Sequence, residues 1–542
     1  MTGNGGDVRI ERGVAALYVF VLALLVVFVV LPTIAVLRFP GVEDYINMMG
    51  NARWRRAATN TVVITLLSTF SSTAIGFAFA FAATRRDIPG ARFFSLLSLA
   101  PLFAPPFMIA FAYLLLFGRQ GLISRHLLGL DLDIFGWTGL WLAQTIAFFP
   151  LASMILKGVL EGIHPSAEQA ALTLGATEGQ ALRTITLPLV APGLIGAMLV
   201  VAITVLADFG NAVVIAGNYP VLATEAWFMM EGLADLKAAA VVVGLLLVPA
   251  VALFVASRRL LGDRRYSTVT GRGGTMEQIK TPALLKWLVV GVCSLVSAVV
   301  VVLYLGIVYA GLADTWGSDW SLTLRHWKEA WAYADALWSS ILVAALAGAV
   351  TAILGQLAAF LKSRALPFRP VLDFLAVLPG ALPGVFIGVG FVLAFNKPPI
   401  ELAGSIWIVV FALGFWHLPL AYQATTVALD QIHRSIEDAA RDLGAGELRL
   451  VADVYAPLLA KVLLASFLQS FVRSVSNISV VVFLVAPGNV MVTFVILQMI
   501  GGIDWSGAAA LTTFLLLLTF LCIGVAALVV GRTTSFSRGF QP

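Results

Sequence analysis

HPSAEQAALTLGATEGQALRTITLPL, residues 164–189, and HRSIEDAARDLGAGELRLVADVYAPL, residues 433–458, are two versions of one polar segment in an otherwise apolar chain. In each, a serine is followed three residues later by a side chain that can reach back: Ser166 with Gln169, and Ser435 with Asp438. That spacing predicts a capping box at a helix start, the second copy being a weaker version. The small pairs Ala170-Ala171 and Ala439-Ala440 allow another element to approach closely. Gly175 and Gly444 then allow the chain to turn. Each segment reads as a helix–turn–helix set between two apolar runs.

The correspondence extends outward. Ile163-His164-Pro165-Ser166 aligns with Ile432-His433-Arg434-Ser435, Leu174-Gly175-Ala176 with Leu443-Gly444-Ala445, and Pro188-Leu189 with Pro457-Leu458, all at an offset of 269 (433 − 164). Pro150 and Pro419 share the offset; farther upstream the register slips by several residues. The chain is an internal repeat with insertions.

Composition says what the repeats are made of. Of 542 residues, 60% are hydrophobic and only 12% charged, with a mean hydropathy of +0.96. Soluble domains carry roughly a quarter charged residues, so lipid is the solvent this chain requires. Apolar runs long enough to cross a bilayer lie near 13–36, 58–83, 94–117, 137–158, 187–214 and 238–260, and again near 285–312, 336–361, 371–395, 403–427, 457–486 and 508–531. The first run exceeds the core of a signal peptide and reads as an uncleaved span. Pro101, Pro105, Pro106, Pro379 and Pro383 predict bends, which neighbouring helices tolerate.

The fold expected is an all-α polytopic membrane protein of about twelve transmembrane helices in two parallel six-helix repeats. The halves are 1–262 and 285–542, joined by a cytoplasmic linker at 263–284. With both termini in the cytoplasm, the inside loops hold roughly twice the Lys and Arg of the outside loops, as the positive-inside rule requires. Arg53, Arg55 and Arg56 dissent, falling outside. The net charge of +5 resides in short clusters between spans, which argues against nucleic acid as a partner. Cys293 and Cys522 lie in apolar runs and form no CxxC motif.

The repeated segment resembles the loop of ABC importer permeases with six-span halves. That family's motif is Glu-Ala-Ala, three residues, Gly, nine residues, then Ile-x-Leu-Pro. The first copy offers Gln169-Ala170-Ala171, Gly175 and Ile185-Thr186-Leu187-Pro188; the second offers Asp438-Ala439-Ala440, Gly444 and Val454-Tyr455-Ala456-Pro457. Both depart from Glu at the first position, and in both a glutamate, Glu168 or Glu437, stands one residue earlier.

The resemblance implies that these residues form coupling helices that dock on two copies of an ATPase subunit. It also implies a periplasmic or lipid-anchored substrate-binding protein and a place in the bacterial inner membrane. The chain has no G-x-x-x-x-G-K-[ST] phosphate loop, so it is expected to bind no cofactor itself. ATP and magnesium would be used by the partner. It has no motif of a membrane enzyme and no catalytic residues are assigned.

Fused twelve-span chains of this kind look most like the ferric-iron uptake branch, which also includes permeases for thiamine and phosphorylated solutes. Gly118-Arg119-Gln120-Gly121, Ala207-Asp208-Phe209-Gly210-Asn211, Gly217-Asn218-Tyr219 and Val221-Leu222-Ala223-Thr224-Glu225 carry that resemblance. Ferric iron is the cargo expected; thiamine or a phosphorylated or phosphonate molecule is the alternative. An ion-coupled secondary transporter is the reading from another class. Polar groups inside spans default to functional candidates. Asp208 and Arg473 are the clearest, with Asn211 and Asn477 beside them on the expected pathway; Asp208 and Asn477 share the repeat offset. Asp208 and Arg473 could form an ion pair, Arg473 could meet an anionic solute, or both could satisfy contacts between helices. The five histidines do not cluster, and no metal site is assigned.

Overall fold

Backbone N–H and C=O groups find no water inside lipid, so long apolar runs satisfy themselves as helices. In the computed structural model, which describes residues 12–261, 279–364 and 366–538, every apolar run is helical. The first is α1, Arg12–Arg38. It is followed by α2 (Ala52–Thr84), α3 (Ala91–Leu97), α4 (Met108–Phe117) and α5 (Trp137–Glu161). The first polar segment forms α6 (Pro165–Thr173) and α7 (Glu178–Ala181) and leads into α8 (Leu187–Leu206). Then come α9 (Gly210–Ile215), α10 (Leu236–Leu261) and α11 (Ala283–Ala310). The second repeat continues with α12 (Ala334–Ser363), α13 (Arg369–Val377), α14 (Gly384–Phe395), α15 (Ile406–Trp416) and α16 (Leu418–Asp430). Its polar segment forms α17 (Arg434–Asp442) and α18 (Glu447–Arg449), before α19 (Ala456–Val475), α20 (Val492–Gly501) and α21 (Trp505–Arg538). Two short antiparallel ribbons, Ala313–Thr315 with Asp319–Leu322 and Asn396–Lys397 with Ile400–Glu401, are the strands among the described residues. The expected linker lies outside the described residues except for 279–284.

Nine helices among the described residues are long and apolar enough to cross a membrane, and three bent pairs raise the number to as many as twelve. Prolines set the bends. A residue before proline is driven to extended backbone, and Ala104 before Pro105 and Leu382 before Pro383 take that conformation. The helix pairs on either side turn through 101° and 113°. The shared prolines at 150 and 419 are handled differently: Pro150 sits inside an unbroken α5, whereas Pro419 follows a 42° break between α15 and α16.

The chain forms two compact units that do not follow the sequence halves. Among the described residues, the first-loop unit takes those within 41–334 and 494–517, and the second-loop unit those within 1–40, 335–493 and 518–542. The opening span of each half is therefore grouped with the other half's loop. In the second-loop unit, Phe28 of α1 packs among Phe391, Phe395, Phe411 and Phe415, with ring centroids 4.6–6.4 Å apart. In the first-loop unit, Tyr304 of α11 donates to the carbonyl of Ala100 at 2.7 Å. Apolar helices without a polar face carry no address for a neighbour, so ring and glycine packing decides the grouping.

Within each unit one crossing recurs. A Cβ placed on Gly76 of α2 would stand 2.5 Å from Ala152 Cβ of α5, and one on Gly355 of α12 would stand 2.5 Å from Ala421 Cβ of α16. Small residues bring these backbones together where van der Waals contact, not hydrophobicity, drives helix association. The dissenting Arg53 also has its place: it pairs with the buried Glu225 at 3.0 Å and lies over the Phe228 ring at 4.9 Å.

Candidate functional site

Both polar segments fold as helix–turn–helix, but the helix starts differ from the sequence expectation. The N-cap is His164, not Ser166, and in the second copy His433, not Ser435. The Nδ1 atoms of these histidines accept from the backbone N–H groups of Ser166 and Ser435 at 3.3 and 3.4 Å. Pro165 opens the helix in the first copy and Arg434 in the second, so in both the cap lies two residues before the expected serine. The capping box of the first copy opens α7 instead: Gln180 donates its N–H to Thr177 Oγ1, and Thr177 donates its own to Gln180 Oε1.

The turns follow from glycine. Gly175 has φ +91° and Gly444 φ +82°. Ala176 N–H reaches Ala171 O and Gly175 N–H reaches Leu172 O, with the same pair of bonds at Ala445 and Gly444. This is the left-handed helix ending that a Cβ disfavours. Nothing lies within 4 Å of a Cβ built at either glycine. Gly444→Ala is therefore expected to cost backbone strain alone, about 1–2 kcal/mol. Amide hydrogen exchange at Leu443–Ala445 should quicken roughly tenfold.

Just before each turn stands a leucine that the sequence reading aligned but did not single out. Leu174 and Leu443 are each 89% exposed, the highest among the exposed large hydrophobic residues. Ala170 and Ala439 are also exposed, while Ala171 and Ala440 are half-buried. Gln169 is half-buried and Asp438 exposed. Each helix thus presents small residues and one apolar knob.

The glutamates displaced from the family position anchor these helices. Arg85, the residue after α2, donates to both Glu168 oxygens, the Nη1–Oε2 bond being 2.8 Å; Thr186 donates to Glu168 as well. Both charged partners are buried. Burial alone would raise the Glu168 pKa, but hydrogen bonds from Arg85 and Thr186 and the Arg85 charge outweigh it and hold the carboxyl below its usual range. Arg364, the residue after α12, plays the same part for Glu437, at 3.2 Å, and also reaches Glu447 at 3.3 Å. Arg441 adds a 2.7 Å bond to Glu447. Each anchoring arginine lies over the phenylalanine four residues before it, Phe81 or Phe360. The span ending in Thr84 or Ser363 is so tied directly to its helix–turn–helix.

After the turn, each segment passes through a π-helical turn, Leu182–Thr186 or Leu450–Tyr455, into the following span. Pro188 and Pro457 stand in the first turn of α8 and α19, next to Leu187 and Ala456. A proline there removes an N–H that the preceding turn would otherwise have to satisfy.

Of the residues singled out inside spans, Asp208, Asn211 and Asn477 have local partners. Asp208 follows the end of α8. Its carboxylate accepts from Gln144 Nε2 at 3.0 Å, from Asn211 Nδ2 at 3.1 Å and from the Asn211 backbone N–H at 3.2 Å. Ser68 donates to Gln144 in turn, and Asn211 accepts from the Ala110 N–H. The Asp208 carboxylate thus accepts three polar bonds within its own unit. Asn477, at the matching place after α19, accepts from the Val480 N–H at 3.0 Å. Position 208 and its counterpart 477 thus perform the same task, capping the chain where the helix breaks. Arg473 lies in the last turn of α19 and its residue is exposed.

The chain matches the family model described as binding-protein-dependent transport system inner membrane component over residues 72–266 and again over 351–535. Each matched stretch contains one helix–turn–helix. The chain is 30% identical over 533 residues to the ferric transport system permease protein FbpB of Actinobacillus pleuropneumoniae, covering 95% of this chain and 78% of that protein. It is 30% identical over 495 residues to the putative ferric transport system permease protein FbpB 1 of Haemophilus influenzae, covering 88% and 78%. A shorter likeness, 31% over 176 residues, joins it to the molybdenum transport system permease protein ModB of Escherichia coli, covering 32% of this chain and 76% of that one.

Proposed function

We propose, from the premise that this chain belongs to the family of binding-protein-dependent transport system inner membrane components, that it carries ferric iron across the inner membrane. In this reading two separate ATPase subunits drive it, one on each helix–turn–helix, and an extracytoplasmic binding protein delivers the cargo. The observation that carries the ATPase reading is the pair of leucines, Leu174 and Leu443, held at equivalent tips and 89% exposed. An apolar side chain so exposed at two symmetry-matched positions fits a groove supplied by another protein. The anchors from Arg85 and Arg364 would pass motion of that partner to α2 and α12. Both termini and both helix–turn–helix segments then face the cytoplasm. The ferric cargo rests on the two relatives described as ferric transport permeases.

The test is transport in proteoliposomes that contain the chain with its ATPase and binding protein, supplied with ferric iron, thiamine or a phosphonate. Iron uptake that requires ATP and survives a proton uncoupler is expected. Uptake that collapses with the proton gradient while ATP is abundant would point to an ion-coupled transporter instead. Uptake of thiamine or phosphonate in place of iron would overturn the cargo.

A further inference from the structure

Arg85-Arg86-Asp87-Ile88-Pro89 turns the corner after α2, and three of its side chains bind three different partners. Arg85 holds Glu168 of α6. Asp87 accepts from the backbone N–H of Thr281 through one carboxylate oxygen and from the Thr281 hydroxyl through the other, both at 3.0 Å. Ile88 belongs to a buried apolar cluster that also holds Phe81 of α2, Ala181 of α7, Leu182 and Ile279. Ile279 and Thr281 come just ahead of α11, the opening span of the second half, and lie in the first-loop unit. The stretch entering that span is thus fastened to the corner that anchors the first helix–turn–helix.

Residues 279–282 are not helical, so their backbone groups must find partners elsewhere. Thr281 is buried, and its N–H finds the Asp87 carboxylate. Hydrogen bonds to an ionised acceptor are the stronger kind. Asp87 also lies 4.0 Å from Lys286 Nζ near the start of α11. Its charge sits by the N-terminal end of a 28-residue helix, where the helix dipole favours an anion. Pro282 stands against α7: a Cβ built on Gly179 would be 3.9 Å from Pro282 Cγ. Farther along α11, a Cβ on Gly306 would stand 2.9 Å from Leu116, so the span stays packed against the same unit beyond this strap. The second half makes the matching attachment with other chemistry. Counted from the anchoring arginine, Leu366 stands where Asp87 does. There α1 is held through Tyr18, whose hydroxyl donates to the Pro367 carbonyl.

We infer, resting on the reading of the first helix–turn–helix as an ATPase dock, that Asp87 and Thr281 are positioning residues for transport. They form a strap through which that helix–turn–helix moves the opening span of the second half together with α2. A partner that displaces α6 and α7 acts at once on Arg85 and on the apolar cluster around Ala181 and Leu182. Ile279 and the Asp87–Thr281 bonds hand the same displacement to the start of α11. One ATPase subunit thereby drives spans from both halves of the sequence.

The experiment measures iron imported per ATP hydrolysed by the complete importer in proteoliposomes. Asp87→Ala should lower this ratio about fivefold, the factor typical of one lost hydrogen bond, while ATP hydrolysis falls much less. Asp87→Asn keeps an acceptor for Thr281 and should recover most of the ratio. Thr281→Val loses the hydroxyl bond alone and should fall between. Combining Asp87→Ala with Thr281→Val should be no worse than Asp87→Ala by itself, because the partner is already gone. An unchanged ratio in Asp87→Ala, or hydrolysis and uptake that fall in equal proportion, would overturn the strap. A second measurement needs no ATPase. In the isolated chain, Asp87→Ala should quicken amide hydrogen exchange at 281–286 and also at 178–182, across the apolar cluster. Quickening confined to 281–286 would overturn the link to the helix–turn–helix. Should the wild type import another solute in place of iron, the cargo reading fails and the ratio is taken with that solute. Should it neither hydrolyse ATP nor transport with its ATPase, the docking reading fails, and a strap for transport falls with it whatever the exchange shows.

Discussion

Replacing Leu174 and Leu443 together by aspartate is expected to yield a folded membrane protein that no longer holds its ATPase subunits. A single exposed leucine needs no explanation. Two leucines at the same repeat position, each 89% exposed and each at the end of a capped and anchored helix, do. Burying one such side chain in a partner's groove contributes roughly 1.5–3 kcal/mol. An aspartate there forfeits that contribution and adds a desolvated charge. Central apolar anchors of interfaces commonly cost 2 kcal/mol or more when lost, so each loop should lose about thirtyfold in affinity. Because one chain engages both loops, the losses compound. Neither leucine supports the spans, and the thermal unfolding of the isolated chain should not move. Co-purification and ATP-driven uptake provide the measurement. A double variant that still co-purifies with its ATPase at wild-type stoichiometry would refute the docking role.

The sequence disclosed the repeat, the helix–turn–helix and its glycines, because local chemistry dictates them. A positive φ at Gly175 and Gly444 is written in the residue type. The bends near Pro105 and Pro383 were legible for the same reason. Residue type favours serine as the helix cap, whereas the Nδ1 atoms of His164 and His433 take that role in both copies, with Pro165 following one and Arg434 the other. The anchors were not legible from the loops alone, since Arg85 is 83 residues from Glu168 and Arg364 is 73 from Glu437. A signal did exist: in both repeats an arginine follows a long apolar run, four residues after a phenylalanine. Arg473 stood out as a charge in an apolar run, but nothing in its neighbours told which side of α19 was buried.

Arg85→Ala is expected to cost the protein far more stability than Arg364→Ala, although the two arginines occupy matching positions. The Arg85 and Glu168 side chains are 6% and 4% exposed, against 12% and 20% for Arg364 and Glu437. Removing one member of a buried pair strands the other charge, at a cost of about 3–5 kcal/mol. Glu437 keeps Arg441 within 3.9 Å and some water, so loss of this half-buried pair should cost less than that, though more than the roughly 0–1 kcal/mol typical of exposed pairs. The pH dependence provides the sharper discriminator. In the wild type the folded Glu168 carboxyl is held below its usual range. Its contribution is therefore present above the unfolded value, near 4.3, and lost as pH falls through the folded one. In Arg85→Ala, burial is left to act with only Thr186 opposing it, and the carboxyl moves up. The variant should then be relatively best in acid and lose stability as pH rises through the folded value, a slope of opposite sign. Adding Glu168→Gln should recover part of the loss, because a buried neutral amide costs less than a buried lone carboxylate. Thermal unfolding in detergent across this pH range measures all four chains, wild type, Arg85→Ala, its double variant with Glu168→Gln, and Arg364→Ala. Equal melting of Arg85→Ala and wild type at neutral pH, with parallel pH slopes, would show that Glu168 is solvated and that the first helix–turn–helix is held by its apolar packing alone.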